Sequence, residues 1–95
     1  MSVFNKASLL KRSINSILKQ SFIDFELICI NAGSSDNSLN ILESFNDKRI
    51  KIYSQDNLGI SAAKNFGVSV SKYDIISFLD ADDEWDTNYL KEIYF

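Results

Sequence analysis

The sequence predicts an α/β fold: a mainly parallel sheet with helices on both faces, in three layers. Three observations carry that expectation. Helical and strand periodicities alternate along the 95 residues in the order α-β-α-β-α-β-α, which places helices against a parallel sheet. The strand candidate Phe25 to Ile30 (FELICI) is almost wholly apolar, as a strand covered on both faces must be. Two polar turns, NAGSSD and DADDEWD, each follow a strand candidate, at the carboxyl ends where such sheets hold their ligands.

Taken in order, Ser8 to Lys19 sets Leu10, Ile14, Ile17 and Leu18 at helical spacing, with Lys11, Arg12, Asn15 and Lys19 left to solvent. Phe25 to Ile30 is the first strand. It enters a Gly/Ser/Asn turn whose Ser35, Asp36 or Ser38 is the expected cap of a second helix. That helix carries Leu39, Leu42 and Phe45. Ile50 to Ser54 alternates apolar and polar residues, which suits a half-exposed strand. Gly59 to Ser71 holds Ile60, Ala63, Phe66, Gly67 and Val70 on one helical stripe. Asp74 to Leu79 reads as the third strand, and Asp86 or Thr87 caps a last helix with Tyr89, Leu90 and Ile93. No repeat, linker or low-complexity tract divides the chain, so residues 1–95 read as one partial domain.

Composition narrows the function classes. A 45% hydrophobic, 13% aromatic chain is core-forming. Its net charge of −3 is local: of the 13 acids, five lie within residues 80–86, and the other eight face 10 bases. No clustered basic face is available for nucleic acid. No apolar run reaches the roughly 18–20 residues of a membrane span, and the N-terminus lacks a signal-peptide core; the expected setting is the cytoplasm, with a peripheral place at the membrane left open for a full-length form. The single cysteine, Cys29, sits in an apolar run and reads as a buried small hydrophobe. The absence of histidine excludes Ser-His-Asp and Cys-His catalysis and histidine-ligated zinc within this chain.

The acids of FLDADDEW pose the central question, because neighbouring like charges repel. A divalent cation turns that repulsion into coordination. Magnesium or manganese takes one or two carboxylates and completes its shell with phosphate and water, and Asp80-Ala81-Asp82 offers two, with Asp83 beside them. The plainer reading is a solvated acidic loop in which Glu84 and Asp86 favour a helix N-terminus. An EF-hand starting at Asp80 is excluded, since Trp85 stands where its tight turn needs glycine and Lys91 where its bidentate glutamate belongs.

The stretches SILKQSFIDFELICINAGSSDNS, QDNLGISAAKNFG and FLDADDEW, in that order and spacing, resemble the family 2 glycosyltransferases of the GT-A fold over almost the whole chain. The resemblance implies the Rossmann-like nucleotide-binding half of that fold. It also implies transfer of a sugar from a nucleotide-diphosphate sugar, a UDP-sugar first among them, to an acceptor, with Mn²⁺ or Mg²⁺ as cofactor. By the same resemblance Asp80 lies near the donor ribose and Asp82 holds the metal against the diphosphate. Asp80 is a second metal ligand, and Asp83 shares either task. Phe4 stands where the family often has tyrosine beside the base, and Lys64 replaces an arginine that meets phosphate. Asn31-Ala32 replaces an Asp-Asp pair whose second acid accepts a hydrogen bond from the base; Asn31 is the expected substitute.

The resemblance sets expectations for the ends as well. The family's first strand precedes the position of MSVFN, so the sheet is expected to lack it and to present unpaired edges. The acceptor half and the catalytic base would follow Phe95, so no residue here is assigned as the base and the chain alone is expected to be inactive. The alternative is a non-catalytic nucleotide- or metal-binding module that works through a partner, or through a homo-oligomer covering the strand edges. A receiver-like phosphorylation domain is disfavoured because the first turn offers only Asn31 and Ala32 where acids would be needed.

Overall fold

A computed structural model describes residues 1–56, 59–73 and 75–94. Asn57 and Asp74, both placed in motifs or elements by the sequence, lie outside the described residues, as do the side chains of Ile60 and Ile93. Three strands, β1 (Ser2–Val3), β2 (Leu27–Ala32) and β3 (Ile50–Gln55), form one parallel sheet in the order β1-β2-β3. The helices are α1 (Ala7–Leu18), α2 (Ser38–Ser44), α3 (Ile60–Val70) and α4 (Tyr89–Tyr94).

The two-residue period of a strand sorts its side chains between the faces. Leu27 and Cys29 of β2 join Leu10, Ile14 and Ile17 of α1 and Leu42 of α2 in the main core. The alternate positions face α3. A Cβ at Gly67 would lie 3.8 Å from Ile30 Cγ1, and the Tyr53 and Phe66 rings meet edge to face with centroids 5.4 Å apart. Helices therefore cover both faces, giving the three-layer α/β/α order expected. Cys29 is fully buried, and loss of solvent pushes its thiol up to about 11, so it behaves as an inert core residue. Among the described residues no helix is long and apolar enough to cross a membrane.

Three details depart from the sequence reading. First, β2 starts at Leu27 rather than Phe25. Its ladder opens with Leu27 N–H donating to Arg49 O at 2.8 Å, while the Phe25 ring is taken by the Arg49 guanidinium 4.5 Å above it. Second, the expected absence of a first strand is corrected: Ser2 and Val3 pair with Ile30 and Asn31. Met1 extends the contact, its ammonium donating to Ile28 O and its carbonyl accepting from Ile30 N–H, both at 2.8 Å. Third, residues 75–79 form no ladder among the described residues. A strand needs a neighbour of matching length, and two residues of β1 give it none. Leu79 is still buried, in the same core cluster as Val3. Above it, a cavity of about 120 Å³ opens between β2, α3 and this segment, lined in part by Ile28, Ile30, Ala63, Gly67, Ile76 and Phe78.

Candidate functional site

The acidic turn is fixed through its backbone by helix α1 and by Gln20 just past its end. Ser13 Oγ, fully buried, lies against the carbonyls of Ala81, at 2.8 Å, and Asp83, sharing its one proton between them. One turn on, Ser16 Oγ accepts the Trp85 N–H at 3.0 Å. The Gln20 amide closes the series: Nε2 donates to Asp86 O at 2.6 Å, and Oε1 accepts Leu90 N–H at 3.0 Å near the start of α4. From the outer side Arg12 Nη2 donates to Asp82 O at 3.3 Å. All of these contacts use backbone groups of the turn. The carboxylates of Asp80, Asp82 and Asp83 stay at the surface. Only Asp82 among these three has an ion-pair partner, Lys6 Nζ at 3.5 Å, and both side chains are more than 40% exposed.

The first polar turn is built differently, with its own side chains and that of Asn5 taken up in holding backbone. Asn5, in the left-handed region at φ 50°, turns the chain from β1 into α1, and its Oδ1 accepts the amide hydrogens of Ser35 (2.8 Å) and Asp36 (3.3 Å). Asp36 fills the expected capping role and a second one. Its Oδ1 accepts Ser38 N–H at 2.9 Å at the start of α2, and its Oδ2 accepts Ala7 N–H at 3.2 Å at the start of α1. The Ser38 hydroxyl donates to Asp36 Oδ1 at 2.5 Å and so holds that carboxyl below the usual carboxylate range. Gly33, at φ 73°, makes the turn itself.

The residues singled out by sequence therefore sit in different circumstances. Phe4, 44% exposed, stands just past the end of β1. Asn31 is buried on β2 with its Oδ1 accepting Ser34 N–H at 3.3 Å, so its amide oxygen already serves the turn. Lys64 lies over the Phe78 ring, 5.3 Å from its centroid. Among the described residues no group of three or more carboxylate or cysteine side chains converges as a ready metal cage. Sequence reasoning missed Ser13, Ser16 and Gln20. The signal was present in the helical pattern: Ser13 and Gln20 continue the stripe of Leu10, Ile14 and Ile17, and a polar residue on a buried stripe must find a partner.

Comparison with known proteins returns several glycosyltransferases. Glycosyltransferase GlyG of Streptococcus pneumoniae serotype 4 is 36% identical over 95 residues, covering 97% of this chain and 32% of that protein. An uncharacterized glycosyltransferase of Haemophilus influenzae is 41% identical over 86 residues, covering 87% and 34%. A cholesterol galactosyltransferase of Borreliella burgdorferi is 37% identical over 93 residues, covering 96% and 26%. The chain thus spans about a third or less of the length of these relatives. The crystal structure of S. aureus TarS in complex with UDP superposes with a TM-score of 0.91 at 23% identity, over 98% of this chain and 29% of that one, a likeness of fold. The sequence profile of glycosyl transferase family 2 matches residues 1–94, through both polar turns and the α1 residues that anchor the second, and to that family the chain belongs.

Proposed function

We propose that this chain is the donor-nucleotide portion of an enzyme that moves a sugar from a nucleoside diphosphate to an acceptor. The observation that carries the reading is the division of labour in the acidic turn: α1 fixes its backbone while Asp80, Asp82 and Asp83 face solvent. A turn held this way keeps its carboxylates in place for a ligand without spending them on the fold. Asp80 serves the donor ribose, Asp82 the diphosphate through a metal, and Asp83 supports either. Lys64 supplies positive charge for phosphate, and Phe4 a ring for the base. UDP is the donor nucleotide favoured, since UDP is the ligand in the similar TarS structure. The setting is the cytoplasm, where nucleotide sugars are made.

The donor set fits Mn²⁺ or Mg²⁺. Carboxylate oxygens are the ligands these hard ions take, and one or two protein carboxylates suffice when phosphate and water complete the shell. A bound metal supplies Lewis-acid stabilisation of the diphosphate as it leaves. In its absence the Lys6 ammonium, 3.5 Å from Asp82, offsets the same charge. The exposed Lys6–Asp82 pair contributes little to folding, so Asp82→Ala is a clean test. Calorimetric titration of UDP should show Mn²⁺-dependent binding to the wild-type chain and none to the folded variant. Equal binding by both, or none by a folded wild type, would sink the proposal.

A further inference from the structure

The described residues contain a buried side-chain polar atom with no hydrogen-bond partner, Gln55 Oε1. Such orphans are few in native proteins, and each calls for an account. Gln55 is the last residue of β3 and pairs with Ala32, the last residue of β2. Ile30 and Tyr53, one strand period earlier in the same two strands, face α3, so Ala32 and Gln55 face α3 too. Phe4, 44% exposed, lies just past the end of β1, after Val3, which pairs with Asn31. A floor with no atom beyond Cβ and an unpaired amide oxygen thus lie on adjacent strands at the carboxyl end of the sheet, about 4.8 Å apart, with an exposed aromatic residue at the end of β1.

Resting on the transferase reading above, we propose that Gln55 is the residue that recognises the donor base, its Oε1 accepting the ring imide N–H of a pyrimidine that lies over Ala32 against Phe4. Asn31, the substitute expected from sequence, suits that role less well on two counts. Its Oδ1 is already bonded to Ser34 N–H, and it belongs to the opposite face, in alternation with Leu27 and Cys29. An amide suits the task because it has an acceptor for the imide N–H and a donor for a neighbouring carbonyl of the base. A site that hydrogen-bonds a ligand N–H discriminates against an analogue lacking it, since the buried acceptor is then left unpaired.

The test compares UDP with N3-methyl-UDP, in which that N–H is gone. The two are titrated in Mn²⁺ into the wild-type chain, Gln55→Leu and Gln55→Glu, each shown to be folded by circular dichroism and thermal melting. The wild type should bind N3-methyl-UDP about tenfold more weakly than UDP, the worth of one hydrogen bond. Gln55→Leu should bind UDP about tenfold more weakly and lose the discrimination, while Gln55→Glu, which keeps an acceptor, should retain it. Discrimination surviving in Gln55→Leu would assign base reading to another group, and leave Gln55 Oε1 as the partner of an ordered water. Indifference of the wild type to N3-methylation would overturn the proposal while leaving the transferase reading intact. Failure of every folded chain to bind UDP would overturn both.

Discussion

The two polar turns at the carboxyl ends of this sheet are built differently. In the first, 31–36, the side chains of Asn5, Asn31, Asp36 and Ser38 are consumed in holding backbone to backbone. In the second, 80–86, helix α1 and Gln20 just beyond it grip the backbone from outside, and the carboxylates of Asp82 and Asp83 make only exposed contacts, with Lys6 and with the neighbouring Glu84 N–H. The difference offers a physical criterion for telling polar side chains held by the fold from those left open to a ligand. A side chain whose hydrogen-bonding capacity is filled by its own fold has little left for a ligand. One whose backbone is fixed by other groups is free to bind and already in position.

Breaking the second turn at its buried anchor should have the largest effect. Ser13→Ala removes the hydroxyl against the carbonyls of Ala81 and Asp83 and leaves them facing a fully buried methyl. A buried acceptor left without a donor costs about 1–3 kcal/mol. For a domain of this size, 2 kcal/mol corresponds to a fall in Tm on the order of 10 °C. Metal-dependent UDP binding should weaken as well, because the carboxylates lose their fixed backbone. Differential scanning calorimetry and the same titration check both. An unchanged Tm would mean that α1 does not anchor the turn.

The first turn should be easier to damage without collapse, since several side chains share its bonds. Asn5→Gly keeps the left-handed backbone at φ 50° without strain but deletes the acceptor of the Ser35 and Asp36 amide hydrogens. Those amides lie at the surface and regain water, so the expected loss is about 1 kcal/mol, with UDP binding retained. Asn5→Ala should lose about 1 kcal/mol more, because alanine pays for the left-handed conformation. If both variants melt together, the backbone conformation contributes nothing.

Much of this was legible in the sequence because it depends on local pattern. The apolar LICI run, the stripe of Leu10, Ile14 and Ile17, and the acids following Leu79 each fix an element or a turn from neighbours within about one helical turn. What stayed hidden depends on partners far along the chain. Ser13 meets carbonyls 68 and 70 residues away, and Asp36 caps a helix that begins 29 residues earlier; spacing alone does not encode either. Residues 75–79 show the same limit in reverse. ISFL has the composition of a strand, but a ladder requires a neighbour, and β1 is two residues long. The motif order announced a donor site, yet it did not show that Asn31 is committed to the turn while Gln55 is not.

The smallest effect should appear only in acid, and it tests the same criterion on two wired carboxylates. Asp47 accepts from Arg49 Nε at 3.0 Å, Arg49 Nη2 at 2.9 Å and the Arg49 N–H at 2.9 Å, and these hydrogen bonds hold its carboxyl at about 2 rather than 3.8. Asp36 is shifted in the same direction by the Ser38 hydroxyl. Both groups bind protons less tightly folded than unfolded, so their contribution is fully present above the unfolded carboxylate range. It is lost as pH falls from about 4 towards 2. The melting temperature should therefore hold from neutral pH to about pH 5 and then decline. Asp47→Asn should be less stable at neutral pH and decline less steeply, because its stabilising interaction is already gone. The difference will be modest, since Asp47 and Arg49 each keep 26% of their side chains exposed and solvent screens the pair. If Asp47→Asn follows the wild-type acid limb without change, the Arg49 contacts do not hold in solution, and a carboxylate ringed by donors is no sign of a structural role.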